Sequence, residues 1–275
     1  MKKYIFLNLK RFDIPKDRAG VNAIAPAADW AGFIVDQIKD KLIAYTEQAE
    51  FAAFFPEAHI IPAAAAGTGP LHLGCQAVFR EDVAPGGNFG AFTSLRTAQS
   101  MAAVGCDYTI IGHCEERKNL KALYAMMGGT EPKSSNAVLN QEIRRAQEAG
   151  MKVLYCIGEN ADEVEKREEV LSAQLMEGLQ GTDLSRVVIG YEPLWAIGPG
   201  RPVPTAEEIQ AVARFVKSVV ECPIVYGGGL KESNAAMIAS IPEMDGGLIA
   251  LTRFQGEIGF YPDEYLRIIE NYFGC

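Results

Sequence analysis

The segment Tyr191-Glu-Pro-Leu-Trp-Ala-Ile-Gly-Pro-Gly200 sets a carboxylate, Glu192, at the end of the β-branched run Val187–Tyr191 and follows it with a Pro/Gly-bounded apolar loop. A short run of that kind forms a buried strand, and Thr205-Ala-Glu-Glu208 reads as a capping box that opens the next helix. A carboxylate at such a strand end faces a cavity, where burial raises its pKa toward the range a general base needs. The competing reading is a Glu satisfied by a structural Arg. Trp195, Ala196 and Ile197 weigh against it, because an exposed loop has little reason to carry them unless it closes over something. Pro193 at one end and Gly198-Pro-Gly200 at the other confine motion to two hinges, so residues 193–198 read as a lid.

A second chemical segment, Tyr108-Thr-Ile-Ile-Gly-His-Cys-Glu-Glu-Arg117, is another apolar strand that ends at a Gly and presents His113 at a charged turn. Of the three histidines, His59 lies in Pro56–Pro62 and His72 in a Gly/Pro-rich turn, which suits surface or packing roles, whereas His113 follows a strand directly. A third segment, Tyr4–Lys10, is a strand whose alternation puts Asn8 and Lys10 on one face with apolar side chains between them. An inward Lys and Asn cost free energy unless they meet an anion or a carbonyl; the alternative is a Lys exposed at the strand end.

These groups need strands to carry them. Strand-like runs fall near Tyr4–Leu7, Phe51–Phe55, Leu73–Gln76, Tyr108–Ile111, Lys152–Ile157, Val187–Tyr191, Ile224–Tyr226 and Gly247–Ala250, each followed by a helix-compatible pattern. The clear helices are Ala31–Ile43, Val138–Ala149, Asp162–Glu177, Ala206–Val219 and Asp263–Tyr272. Eight such α/β units close into a (β/α)8 barrel, which carries its chemistry at the strand ends. The span Glu165–Glu169 reads as a solvated helix face.

Composition fits one barrel domain over residues 1–275, because 275 residues at 48% hydrophobic content bury a large core without a domain split. A net charge of −9 argues against nucleic acid as a partner but leaves anionic small molecules open. The six cysteines show no Cys-x-x-Cys spacing, which implies a reduced compartment. The N-terminal apolar stretch is too short for a signal peptide, and no later run approaches the ~18 apolar residues of a membrane span. The expectation is a cytoplasmic protein with no membrane association.

In order along the chain, Asn8-Leu-Lys10, Ile110-Ile-Gly-His113-Cys-Glu115, Cys156-Ile-Gly-Glu159, Tyr191-Glu-Pro-Leu-Trp-Ala-Ile-Gly198 and Tyr226-Gly-Gly resemble the triosephosphate isomerase family. The likeness runs nearly the whole chain and implies a TIM barrel that interconverts an aldose and a ketose through an enediol(ate), namely dihydroxyacetone phosphate and D-glyceraldehyde 3-phosphate. It implies Glu192 as the base between adjacent carbons and His113 as the neutral imidazole that polarises the carbonyl. It further implies Lys10 as the cation beside the enediolate oxygen and the substrate's anion, and Asn8 as a substrate contact. Glu115 would anchor Lys10 or the histidine turn from behind. No metal or cofactor is needed, because two side chains and a cation manage the proton transfers. Gly90-Ala-Phe-Thr93 resembles the family's dimer-interface loop, which implies a homodimer in which Thr93 supports the partner's Asn8 and Lys10.

The phosphate cradle implied by the resemblance uses backbone N–H groups of Gly198, of Gly229 and of the pair Ala250-Leu251. Here Gly229 stands in place of a serine and Ala250-Leu251 in place of two glycines, so a bulky side chain occupies a site of close backbone approach. Arg201 and Arg253 lie near enough to compensate. Glu116 replaces an arginine of the histidine turn, which alters local ion pairing without touching the catalytic groups. Three loops, 11–28, 77–88 and 253–260, are longer than the family pattern, and all follow strands. Ala250-Leu251 favours a runner-up reading, an isomerase of another small sugar phosphate such as a tetrulose phosphate. A third reading, a barrel kept only for binding or regulation, is opposed by the intact Lys10, His113 and Glu192.

Overall fold

In a computed structural model that describes residues 2–129, 133–197 and 201–274, eight parallel strands close into one barrel in sequence order. The strands are β1 (Lys3–Asn8), β2 (Ala49–Phe55), β3 (Leu71–Cys75), β4 (Tyr108–Ile111), β5 (Lys152–Ile157), β6 (Val187–Tyr191), β7 (Ile224–Tyr226) and β8 (Gly246–Ile249). Around them, among the described residues, run α1 (Trp30–Leu42), α2 (Glu57–Ala65), α3 (Ala98–Ala103), α4 (Cys114–Met126), α5 (Lys133–Glu148), α6 (Arg167–Gly178), α7 (Ala206–Val219), α8 (Ala235–Ala239) and α9 (Pro262–Phe273). Closure is completed by β1 pairing with β8, Leu7 opposite Ile249.

Strand alternation divides the core into two layers. Phe6, Phe54, Tyr108, Ile110, Leu154, Val188, Val225 and Leu248 fill the barrel's interior, while their neighbours, such as Ile5, Phe55, Val153 and Ile189, meet the helices outside. Asn8 and Glu192 continue the inward series at the C-terminal ends of the strands, two residues beyond Phe6 and four beyond Val188. A side chain that would have been core lower in the barrel therefore becomes a buried polar group at its mouth.

Local signals set the helix positions. Thr205 Oγ1 accepts from the Glu208 N–H and the Glu208 carboxylate accepts from the Thr205 N–H, so α7 opens on the capping box and spans the expected residues. Other expectations change. His72 lies inside β3 rather than in a turn, and its ring pairs with Asp107 at 2.9 Å. His59 is buried against Trp30, with Nε2 3.2 Å from Asp13. The charged turn at His113 is the start of a 13-residue helix, α4. Residues 162–177 divide between a 3₁₀ turn (Ala161–Lys166) and α6.

Two of the long loops meet beyond the C-terminal ends of the strands. Lys16 and Glu257 form an ion pair between loops 11–28 and 253–260. Asp13, which takes both Arg11 and His59, fixes the first of these loops to α2.

Candidate active site

Glu192 leaves β6 into the barrel mouth, with its backbone N–H on Ile157 O at 2.8 Å, and is 2% exposed. Its Oε2 accepts the Cys114 N–H at 2.8 Å, and Oε1 lies 3.2 Å from His113 Nε2. Burial pushes the carboxyl up to about 7, against the Cys114 N–H and the charges of Lys10 and Arg117, which lower it. Two glycines make the room: a Cβ on Gly158 would sit 1.9 Å from Glu192 O, and one on Gly227 would sit 2.8 Å from Glu192 Cγ.

His113 caps α4. Its Nδ1 accepts the Glu115 N–H at 3.3 Å, which assigns the ring proton to Nε2 and aims it at Glu192. Burial, reinforced by the positive charge of Lys10 and opposed by Glu115, pushes the ring's pKa down to about 4. A base held near neutrality thus faces an uncharged N–H donor. Such a pairing can pass a proton on without leaving a stable ion pair behind.

Lys10 lies just past β1 rather than on its face, in the left-handed region at φ 40°. A non-glycine residue there carries about 1–3 kcal/mol of strain and persists only where its surroundings impose it. The Lys10 N–H donates to Asn8 Oδ1 at 3.1 Å, and Gln76 Nε2 donates to Lys10 O at 3.0 Å and to Phe54 O at 3.2 Å. Lys10 Nζ then reaches Glu115 Oε1 at 2.8 Å. Burial raises the Glu115 carboxyl, but the hydrogen bond and charge of Lys10 outweigh it and hold its pKa low. Nothing in the sequence marks Gln76, because an amide at a strand end looks like any loop residue until its acceptors are in place.

Glu159, in the sequence one member of the Cys156–Glu159 motif, is fully buried and holds the loop after β6. Its Oε1 accepts from Arg167 Nε at 2.7 Å, Trp195 Nε1 at 2.8 Å and Tyr191 OH at 3.0 Å. Arg167 therefore leaves the solvated face assigned to it. The described lid residues, Pro193, Trp195, Ala196 and Ile197, fold as a 3₁₀ turn over Leu194–Ala196 flanked by extended residues.

Gly198 lies outside the described residues. Gly229, at φ 94°, Ala250 and Leu251 follow β7 and β8, and among the described residues no protein acceptor takes their N–H groups. Arg253 is not available to this cradle: it pairs with Glu264 at 2.6 Å and stacks on Tyr261 at 3.8 Å. Arg201 lines a cavity that also reaches Gly228 and Ala196. Glu116 bears on the site more than expected, since its carboxylate takes the N–H of Gly112, the residue before His113, at 2.5 Å. It also meets Glu142, whose carboxyl is pushed up to about 10 by burial and by the charge of Glu116. Thr93 is exposed on the loop after β3.

One cluster among the described residues has metal-binding donor types, His113, Cys114 and Glu192, with donor atoms within 4.8 Å of one another. The His113 proton occupies Nε2, and burial, followed by the charge of Glu192, pushes the Cys114 thiol up to about 12. The cluster offers protons where a metal needs lone pairs.

A family model described as triosephosphate isomerase matches residues 29–270. A triosephosphate isomerase of Prosthecochloris aestuarii is 35% identical over 238 residues, covering 82% of this chain and 86% of that protein. One of Chlorobaculum tepidum is 36% identical over 194 residues, covering 66% and 71%. The crystal structure of triosephosphate isomerase from Bartonella henselae shares the fold at a TM-score of 0.73 and 22% identity, covering 99% of this chain and 100% of that one.

Proposed function

Because the chain belongs to the triosephosphate isomerase family, it interconverts dihydroxyacetone phosphate and D-glyceraldehyde 3-phosphate, and we propose that Glu192, His113 and Lys10 are the groups that do so. The observation that carries this assignment is the Glu192–His113 contact at 3.2 Å, a buried carboxylate against a neutral N–H donor. The pairing is the one known for this family. Glu192 takes the proton from the carbon beside the carbonyl while His113 Nε2–H hydrogen-bonds the carbonyl oxygen. The electron pair of the broken C–H bond forms the enediolate, whose oxygen Lys10 stabilises. Glu192 then returns the proton to the adjacent carbon, and His113 moves the proton between the two oxygens. Both Glu192 oxygens are engaged without substrate, so the base turns away from Cys114 and His113 to reach carbon. Its neighbour Pro193 couples that turn to the lid, and a closed lid keeps water from an intermediate that would otherwise expel phosphate.

The test is a coupled assay of the purified protein on dihydroxyacetone phosphate, with erythrulose phosphates in parallel. Turnover of the triose at the higher kcat/KM is expected; preference for a tetrulose phosphate would contradict it. The pH profile checks the base separately. With Glu192 near 7 and His113 near 4, kcat/KM should rise with pH through about 7 and show no histidine limb above pH 5. The profile is read after correction for the substrate phosphate, which titrates near ~6. A flat profile from pH 5 to 9 would remove Glu192 as the titrating base.

The working form is a homodimer, with Thr93 of the partner subunit supporting Asn8 and Lys10. In support, the loop after β3 leaves Phe89 88% and Leu95 44% exposed, an apolar tip with no cover of its own. Glu115, paired with Lys10, is itself 65% exposed. Light scattering at micromolar concentration should give twice the chain mass, and a fully active monomer would exclude this arrangement. The five described cysteines are unpaired, which supports a cytoplasmic location, and among the described residues no helix is long and apolar enough to cross a membrane.

A further inference from the structure

We propose that Lys231 binds the phosphate of the substrate, adding a charge to the free backbone N–H groups of the turns after β7 and β8; this rests on reading the site as a sugar-phosphate isomerase. Lys231 follows β7, five residues past Tyr226, in a turn that the protein fixes from both sides. Asn234 Oδ1 accepts the Lys231 N–H at 2.7 Å, Asn234 Nδ2 donates to Gly229 O at 3.1 Å, and the Leu230 N–H reaches Leu248 O at 2.9 Å. The position of Lys231 relative to both cradle strands is therefore set by the backbone.

The side chain then lies across the cradle. Gly229 leaves empty the space of a Cβ, and Lys231 Cε lies 3.5 Å from that point. The stem passes over the bare glycine, and the ammonium ends 4.3 Å from the centre of the Phe254 ring, in the loop after β8. The charge thus bridges the turn that carries the Gly229 N–H and the loop that carries the Ala250 and Leu251 N–H groups. Among the described residues no carboxylate pairs with it, and its neighbour Glu232 is turned to Arg267 at 3.4 Å.

The same lysine lines a cavity of about 370 Å³ with Arg201, Gly228, Asn234 and the lid residue Ala196, and no acidic side chain lines it. In a chain of net charge −9, an acid-free cavity with two cations, bounded by the lid and by the glycine turn, is suited to a phosphate dianion. Lys231 offers a mobile point charge, which can meet an anion at more than one position in this space.

The experiment compares the wild-type protein with Lys231→Met, which keeps the stem and removes the charge. Inorganic phosphate is titrated by calorimetry, and kcat and KM are measured on dihydroxyacetone phosphate. Loss of one charge-assisted contact should raise both the phosphate Kd and KM by roughly 10- to 100-fold, with kcat little changed. Lys231→Arg should stay near wild type. Phe254→Leu, which removes the ring beneath the ammonium, should raise both constants less. An unchanged phosphate Kd in Lys231→Met, or a fall in kcat with phosphate binding intact, would overturn the proposal. A wild type that binds phosphate through Lys231 yet isomerises no triose would overturn the assigned reaction and leave this site standing.

Discussion

Glu192→Gln should lower kcat by more than the ~10²–10⁴-fold usual for general-base assistance, because no second group within reach of the substrate carbon can take its proton. The amide keeps the shape, and its oxygen still accepts the Cys114 N–H. Stability should move the other way. An ordinary carboxyl near 4.5 is held at about 7 in the folded chain, so protonation of Glu192 favours folding. That contribution is fully present below about 4.5 and is lost as pH rises through about 7; by pH 8 the ionised, buried carboxylate weighs against the fold by roughly 3 kcal/mol. Gln carries no charge and escapes most of this cost, less the part lost where its NH₂ meets the Nε2–H of His113. The Tm of Glu192→Gln should exceed that of wild type at pH 8, with the difference shrinking toward pH 5. An active variant would show that Glu192 is not the base, and a relative Tm that ignores pH would show that it is not a strained charge.

Lys10→Met should cost about 10²–10³-fold in kcat/KM, the scale for removing one preorganised group that meets charge developing in the transition state. The stem remains, and Glu115 loses a partner at the surface rather than in the core, so unfolding is not the expected cause. The electrostatic signature is more specific. The Lys10 charge lowers both the His113 and the Glu192 pKa, so its removal raises both, and the acid limb of the kcat/KM profile should move to higher pH. Activity within tenfold of wild type, or a loss with the limb unmoved, would place Lys10 outside the reacting charge distribution.

The sequence by itself determined the barrel, its order of elements and the three residues assigned to the chemistry. Seven of the eight strand runs were legible because each is a short apolar or β-branched stretch closed by a Gly, Pro or polar residue, and the eighth, which runs on into Ala250-Leu251, because two glycines open it. The α7 helix was legible to the residue because Thr205 and Glu208 cap each other locally. Glu192 and His113 stood out for the same reason, since each directly follows an apolar strand and strand ends of a barrel converge. Only the tertiary structure decided what acts through space across the chain. Gln76 fixes a left-handed Lys10 from 66 residues away, Glu159 gathers Arg167, Tyr191 and Trp195, and Glu116 turns inward to Gly112 and Glu142. The sequence alone leaves Arg253 plausible as a phosphate ligand, but Glu264 and Tyr261 claim it, while nothing in the sequence marks Lys231, whose stem crosses Gly229. Hydrophobic period and capping are written into neighbouring residues; the partner of a polar side chain depends on which distant backbone the closed barrel brings within hydrogen-bond reach.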